Sequence, residues 1–146
     1  MCFSAPRGGL VIACERVSRR LVVQRLGKLT ALAVADALAG MLAPLPATLR
    51  RSLTFDNGPE FSAHRAIAAE LGVETRFCPP HAPWTKGSVE SAIGRLRRFL
   101  PRRTNIYACN PRDIEAILAN YNATPRACLG YKTPDEVFNE TVALQP

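Results

Sequence analysis

Two acidic side chains stand where they could share a divalent cation. Asp56 lies within Leu53-Thr-Phe-Asp-Asn-Gly-Pro-Glu-Phe61, and Glu90 closes Pro83-Trp-Thr-Lys-Gly-Ser-Val-Glu90. The first reads as a carboxylate at the end of a strand, the second as one at the start of a basic helix. Magnesium is a hard octahedral ion held by a few carboxylates together with phosphate oxygens and water, so this pairing suits metal-assisted phosphoryl transfer. Two acids so far apart carry little weight by themselves: Asp56 also suits the turn before Asn57, and Glu90 also suits a solvated helix face. Such sites need a third carboxylate from an earlier strand, and the only acid before Asp36 is Glu15.

The elements that must position these groups follow from hydrophobic period and punctuation. Residues 10–14 and 21–26 are apolar and β-branched, joined by a polar 15–20 stretch, and predict a hairpin. Thr30 can cap a helix with Leu32, Ala35, Leu38 and Leu42 on one face, ending before Pro44. Residues 51–56 predict a strand, and Asn57-Gly58 a turn. Pro59 opens a helix that buries His64, Ile67, Ala68 and Leu71 on one face and releases at Gly72. A strand over 73–77 completes a parallel crossover.

Residues 78–87 form a proline-rich loop, and a helix follows from about 88 to 100. At 100° per residue its Val89, Ile93, Leu96 and Leu100 cluster as the buried stripe. Glu90 and Arg97 then share a flank, while Arg95 and Arg98 point to solvent. Two more helices are predicted over 113–122 and 134–140. Together these make a mixed α/β sheet flanked by helices, folded as one domain over 1–146.

Composition agrees with such a domain: 146 residues, 47% hydrophobic and 21% charged. The net charge of +7 favours a polyanionic partner. Its distribution is more telling, because the 86–103 stretch around Glu90 holds six basic residues against one acid. Five cysteines without a Cys-x-x-Cys pair indicate neither a zinc site nor a disulfide framework. The apolar 31–45 run is interrupted by Asp36 and is short for a membrane span, and the 10–13 stretch is too brief for a signal peptide. A cytoplasmic protein is expected.

In combination, Asp56-Asn-Gly-x-Glu-Phe61, Pro83-Trp-x-x-Gly-x-x-Glu90, the arginines behind it, and Leu129-Gly-Tyr-Lys-Thr-Pro-x-Glu-Val-Phe138 resemble the catalytic core of DDE transposases and retroviral-type integrases. The nearest likeness is to the insertion sequence 30 family of bacterial transposases, from about Glu15 to Phe138. The resemblance implies a ribonuclease H-like fold and Mg²⁺-dependent (or Mn²⁺-dependent) cutting and joining of transposon DNA ends, with two ions in the intact site. Asp56 would match the second acid of the triad and Glu90 the third, as catalytic residues and metal ligands. Trp84, Lys86, Arg95, Arg97, Arg98, Arg102 and Arg103 would contact the nucleic acid. The partners implied are transposon-end and target DNA and further copies of the protein, at the bacterial nucleoid, with no membrane and no small-molecule substrate.

In that family the first acid stands on the first strand, which here would fall just before Met1. A helix-turn-helix region is expected further upstream. On this reading the chain is N-terminally truncated, its first strand is incomplete, and it is inactive by itself. The other reading is a transposase remnant or basic nucleic-acid-binding module in which Asp56 and Glu90 are structural.

Overall fold

The computed structural model describes residues 2–4, 8–79, 87–101 and 104–144. The strand β2 (Gly9–Cys14) is the pivot of the fold. It pairs antiparallel with β3 (Leu21–Leu26), Cys14 opposite Leu21, and on its other edge with the short β1 (Cys2–Ser4). Successive side chains of a strand face opposite sides, and β2 uses this fully. Val11 enters one core with α1 (Ala31–Leu42), whereas Leu10 and Ile12 enter a second core with α3 (Gly87–Leu96). The sheet is thus covered on both faces.

The first core joins α1 to α2 (His64–Leu71) and to β4 (Ser52–Phe55) through Val34, Leu38, Phe55, Phe61 and Ile67. Phe61 is buried and stacks on Phe55 with ring centroids 4.9 Å apart. Removing a side chain of that size from water contributes about 2–3 kcal/mol. Thr30 caps α1 by accepting from the Ala33 amide at 3.3 Å, as its position predicts. Leu32 is a correction to the expected buried face: it is 70% exposed. Val34, Ala37 and Ala39 are buried beside Ala35, Leu38 and Leu42, so the covered arc is centred away from Leu32 in the first turn.

The parallel pair of β4 with β5 (Glu74–Phe77) has the crossover through α2 that the sequence predicts. The helix between them begins later than expected. Pro59–Phe61 form a separate 3-10 turn, and α2 starts at His64. Gly72 ends it with φ 63°, a left-handed conformation that costs a glycine nothing. Among the described residues the strands form two sheets, one antiparallel and one parallel, rather than one continuous mixed sheet.

The second core packs α3 and α4 (Pro111–Asn122) on the other face of β2 and β3. Ala92, Ile93, Leu96 and Leu100 are buried and Val89 is half-buried, which matches the predicted stripe. The helical backbone continues past α3 as a turn, with Arg97 N–H on the Ile93 carbonyl and Leu100 N–H on that of Leu96. The last helix, α5 (Pro134–Ala143), opens on a capping box between Thr133 and Glu136. Arg20 ties it to the hairpin, with Nε 2.8 Å from Asp135 Oδ1 and the guanidinium over the Phe138 ring.

Candidate active site

The residue after β4 is Asp56, half-buried at the carboxyl end of a parallel strand pair. In parallel α/β arrangements ligands bind at that end. Its Oδ1 accepts the Gly58 amide at 3.3 Å, an Asx-type turn that fixes the carboxylate against its own loop. Asn57 does more than turn the chain. Its Nδ2 donates to the Cys78 carbonyl at 3.2 Å, and the Cys78 amide donates to Phe55, so the strand ends on either side of Asp56 are fastened together.

Glu90 lies in the first turn of α3 and is exposed. A carboxylate there is favoured by the unpaired amides of a helix start. Arg97 is half-buried on the same flank of the helical segment, and Arg98 is exposed. Arg95 is exposed too, but it faces a cavity rather than open solvent alone. Trp84, Lys86, Arg102 and Arg103 lie outside the described residues, as does His81.

Among the described residues no group of three or more His, Cys, Asp or Glu side chains gathers to hold a metal ion. Two acids precede Asp56 in the sequence. Asp36 is exposed on α1. Glu15 is tied into the β2–β3 turn, where its carboxylate accepts from the Val17 amide and from the amide and hydroxyl of Ser18. Partial burial raises its pKa, but those hydrogen bonds outweigh the effect and leave it below the ordinary carboxylate value.

Burial pushes the Cys14 thiol up to about 11, so it stays neutral at physiological pH. His64 is a packing residue, with its ring 4.8 Å edge-on from Phe77 and Nδ1 3.2 Å from the Phe61 carbonyl.

Sequence reasoning did not find Asn122 or Arg126, both buried polar residues near the end of α4. Asn122 bonds the backbone of Leu21, and Arg126 stacks over the Tyr121 ring at 4.2 Å. An Asn and an Arg in a polar loop after a helix give no local sign of burial.

A hairpin sheet covered by helices on both faces, beside a parallel strand-helix-strand crossover, is an arrangement shared with an integrase catalytic core. The crystal structure of the BIV integrase catalytic core domain superimposes with a TM-score of 0.74 at 26% identity, over 97% of this chain and 91% of that one. By sequence the chain is similar to transposases of bacterial insertion sequences. It is 33% identical over 132 residues to the transposase of IS1086 from Cupriavidus metallidurans, and 34% identical over 130 residues to the transposase InsI of IS30A from Escherichia coli K12. A more distant relative, the transposase of IS4351 from Bacteroides fragilis, is 29% identical over 136 residues. The first two matches cover 90% and 89% of this chain but only 39% and 34% of the relatives' own lengths. No family model matches the chain. No helix among the described residues is long and apolar enough to cross a membrane.

Proposed function

We propose that this chain is the catalytic core of a DNA transposase, acting on transposon ends and target DNA by divalent-metal-dependent phosphoryl transfer. The observation that carries this reading is the placement of Asp56 at the carboxyl end of β4 and of Glu90 on the first turn of α3, within a fold shared with an integrase core. Oxygen donors of this kind fit Mg²⁺ or Mn²⁺, and Asp56 and Glu90 would hold the ion. When bound, such a cation neutralises charge building on the phosphodiester and activates the attacking oxygen.

The protein's own residues supply position and charge. The Asn57 clamp holds the Asp56 loop, and Arg97 and Arg98 with the basic 86–103 stretch hold the phosphates of a bound strand. A second reading is a DNA-binding core that does not turn over by itself, since among the described residues no group of three or more His, Cys, Asp or Glu side chains gathers to hold a metal ion. Association with further copies around the DNA belongs to the same proposal.

The test is calorimetric titration of Mn²⁺ into the chain and into Asp56→Asn and Glu90→Gln. Binding to the wild type that both substitutions abolish is expected. Binding that neither changes would place the ion elsewhere and sink the acid-pair reading. Nicking of supercoiled plasmid by the chain, abolished in Glu90→Gln, would support the site while overturning the inactivity.

A further inference from the structure

A cavity of about 250 Å³ opens on a different side of α3 from Glu90. Ser88, Ser91 and Arg95 line it from the helix, Arg19 from the β2–β3 turn, and Tyr121 and Arg126 from the end of α4 and the loop beyond. On the helical wheel the three α3 side chains span a narrow arc roughly 130° round the axis from Glu90. Gly87, the first residue of α3, also lines the cavity, so the helix contributes its positive end. No carboxylate is among the lining residues.

Arg126 is the feature that demands explanation. It is only 7% exposed, and among the described residues no carboxylate pairs with it. Its Nη2 donates to the Tyr121 carbonyl at 2.9 Å, and its Nε is buried without a hydrogen-bond partner. Capping the end of α4 accounts for the first contact. It does not account for the stranded Nε, nor for two more arginines at the same cavity.

The surrounding backbone holds this arrangement in place. The Arg126 amide donates to the Lys132 carbonyl at 3.0 Å, and the Arg126 carbonyl accepts from the amides of Leu129 and Tyr131. Gly130 and Tyr131 take left-handed φ values of 63° and 66° to close that loop. Arg19, at φ 64°, likewise holds a conformation that costs a non-glycine residue about 1 kcal/mol or more. A buried guanidinium without a counter-charge, faced by two others, is unfavourable until an anion joins them.

We infer that this cavity is a phosphate-binding site, separate from the acid pair, in which Arg19, Arg95 and Arg126 grip the oxygens and Ser88 and Ser91 donate hydroxyl hydrogen bonds. Three guanidinium forks with short hydroxyl donors at a helix start match a tetrahedral dianion or a phosphodiester. The phosphate could be a DNA backbone group held away from the reacting strand, or a free phosphate. Only the first of these rests on the transposase reading.

Inorganic phosphate is titrated into the full chain at constant ionic strength against chloride, following thermal unfolding and calorimetric heat. Saturable stabilisation is expected, weakened about tenfold by Arg19→Gln and by Arg95→Gln. It should be unchanged in Arg112→Gln, which removes an exposed arginine of α4. Arg126→Met should lose the response while remaining folded by circular dichroism; should it not fold, the Arg19 and Arg95 variants decide. No stabilisation beyond chloride, or an equal loss in Arg112→Gln, overturns the site. The same variants are then tested for duplex DNA binding by fluorescence anisotropy. A matching loss with a salt slope shallower by about one assigns the phosphate to DNA. Unchanged DNA affinity assigns it to a free phosphate. Phosphate binding with no DNA binding by the wild type leaves the cavity standing and removes the transposase reading.

Discussion

Asn122 treats Leu21 as a strand would: its Oδ1 accepts the Leu21 amide and its Nδ2 donates to the Leu21 carbonyl, each at 2.9 Å. Both residues are buried, so the side-chain amide completes the hydrogen bonding of β3 where the hairpin turn ends and locks α4 to the sheet. Replacing Asn122 with Leu strands two backbone groups away from water. We expect a loss of about 2–4 kcal/mol in unfolding free energy by urea titration. A loss no larger than that of a surface substitution would mean that water replaces the amide.

Glu15 makes the hairpin turn sensitive to acid. Its folded pKa lies below the usual 4.5, so the stabilisation is fully present above that value and is lost as pH falls through the folded pKa. Comparing Tm of the wild type with Glu15→Gln across this range, the difference should be largest at neutral pH and shrink on acidification. A constant difference would remove the linkage.

Asn57→Ala frees the Asp56 loop from Cys78. One exposed-side hydrogen bond contributes about 1 kcal/mol or less, so the fold should survive. Mn²⁺ affinity measured by calorimetry should nevertheless fall, because the carboxylate loses its fixed position. Unchanged affinity would show that the turn alone orients Asp56.

Arg98→Gln removes an exposed charge from the helical segment beyond Glu90. Duplex affinity should weaken for all sequences alike, and the slope of log K against log salt should become shallower by about one. A sequence-selective loss would indicate base contact instead.

Thr133→Ala removes one half of the α5 capping box, the Thr133 hydroxyl that accepts the Glu136 amide, and leaves Glu136 accepting the Thr133 amide. Unfolding free energy should drop by about 1 kcal/mol. No change in thermal unfolding would mean that α5 frays without consequence.

The sequence alone determined whatever local chemistry decides. Thr30, Gly72 and Pro134 set helix ends by their own backbone preferences, and Leu10, Val11 and Ile12 set a strand by their run of apolar side chains. The same local signals placed Asp56 after a strand and Glu90 on a helix. They could not show that Leu32 faces solvent, since which apolar residue of a broad stripe is covered depends on what packs against it. Nor could they show Arg19, Arg95 and Arg126 around one cavity, or Asn122 bonded to Leu21. Those residues lie far apart along the chain, and only the docking of α3 and α4 onto the hairpin brings them together. Burial and electrostatic surroundings are properties of that docking, not of any short stretch of sequence.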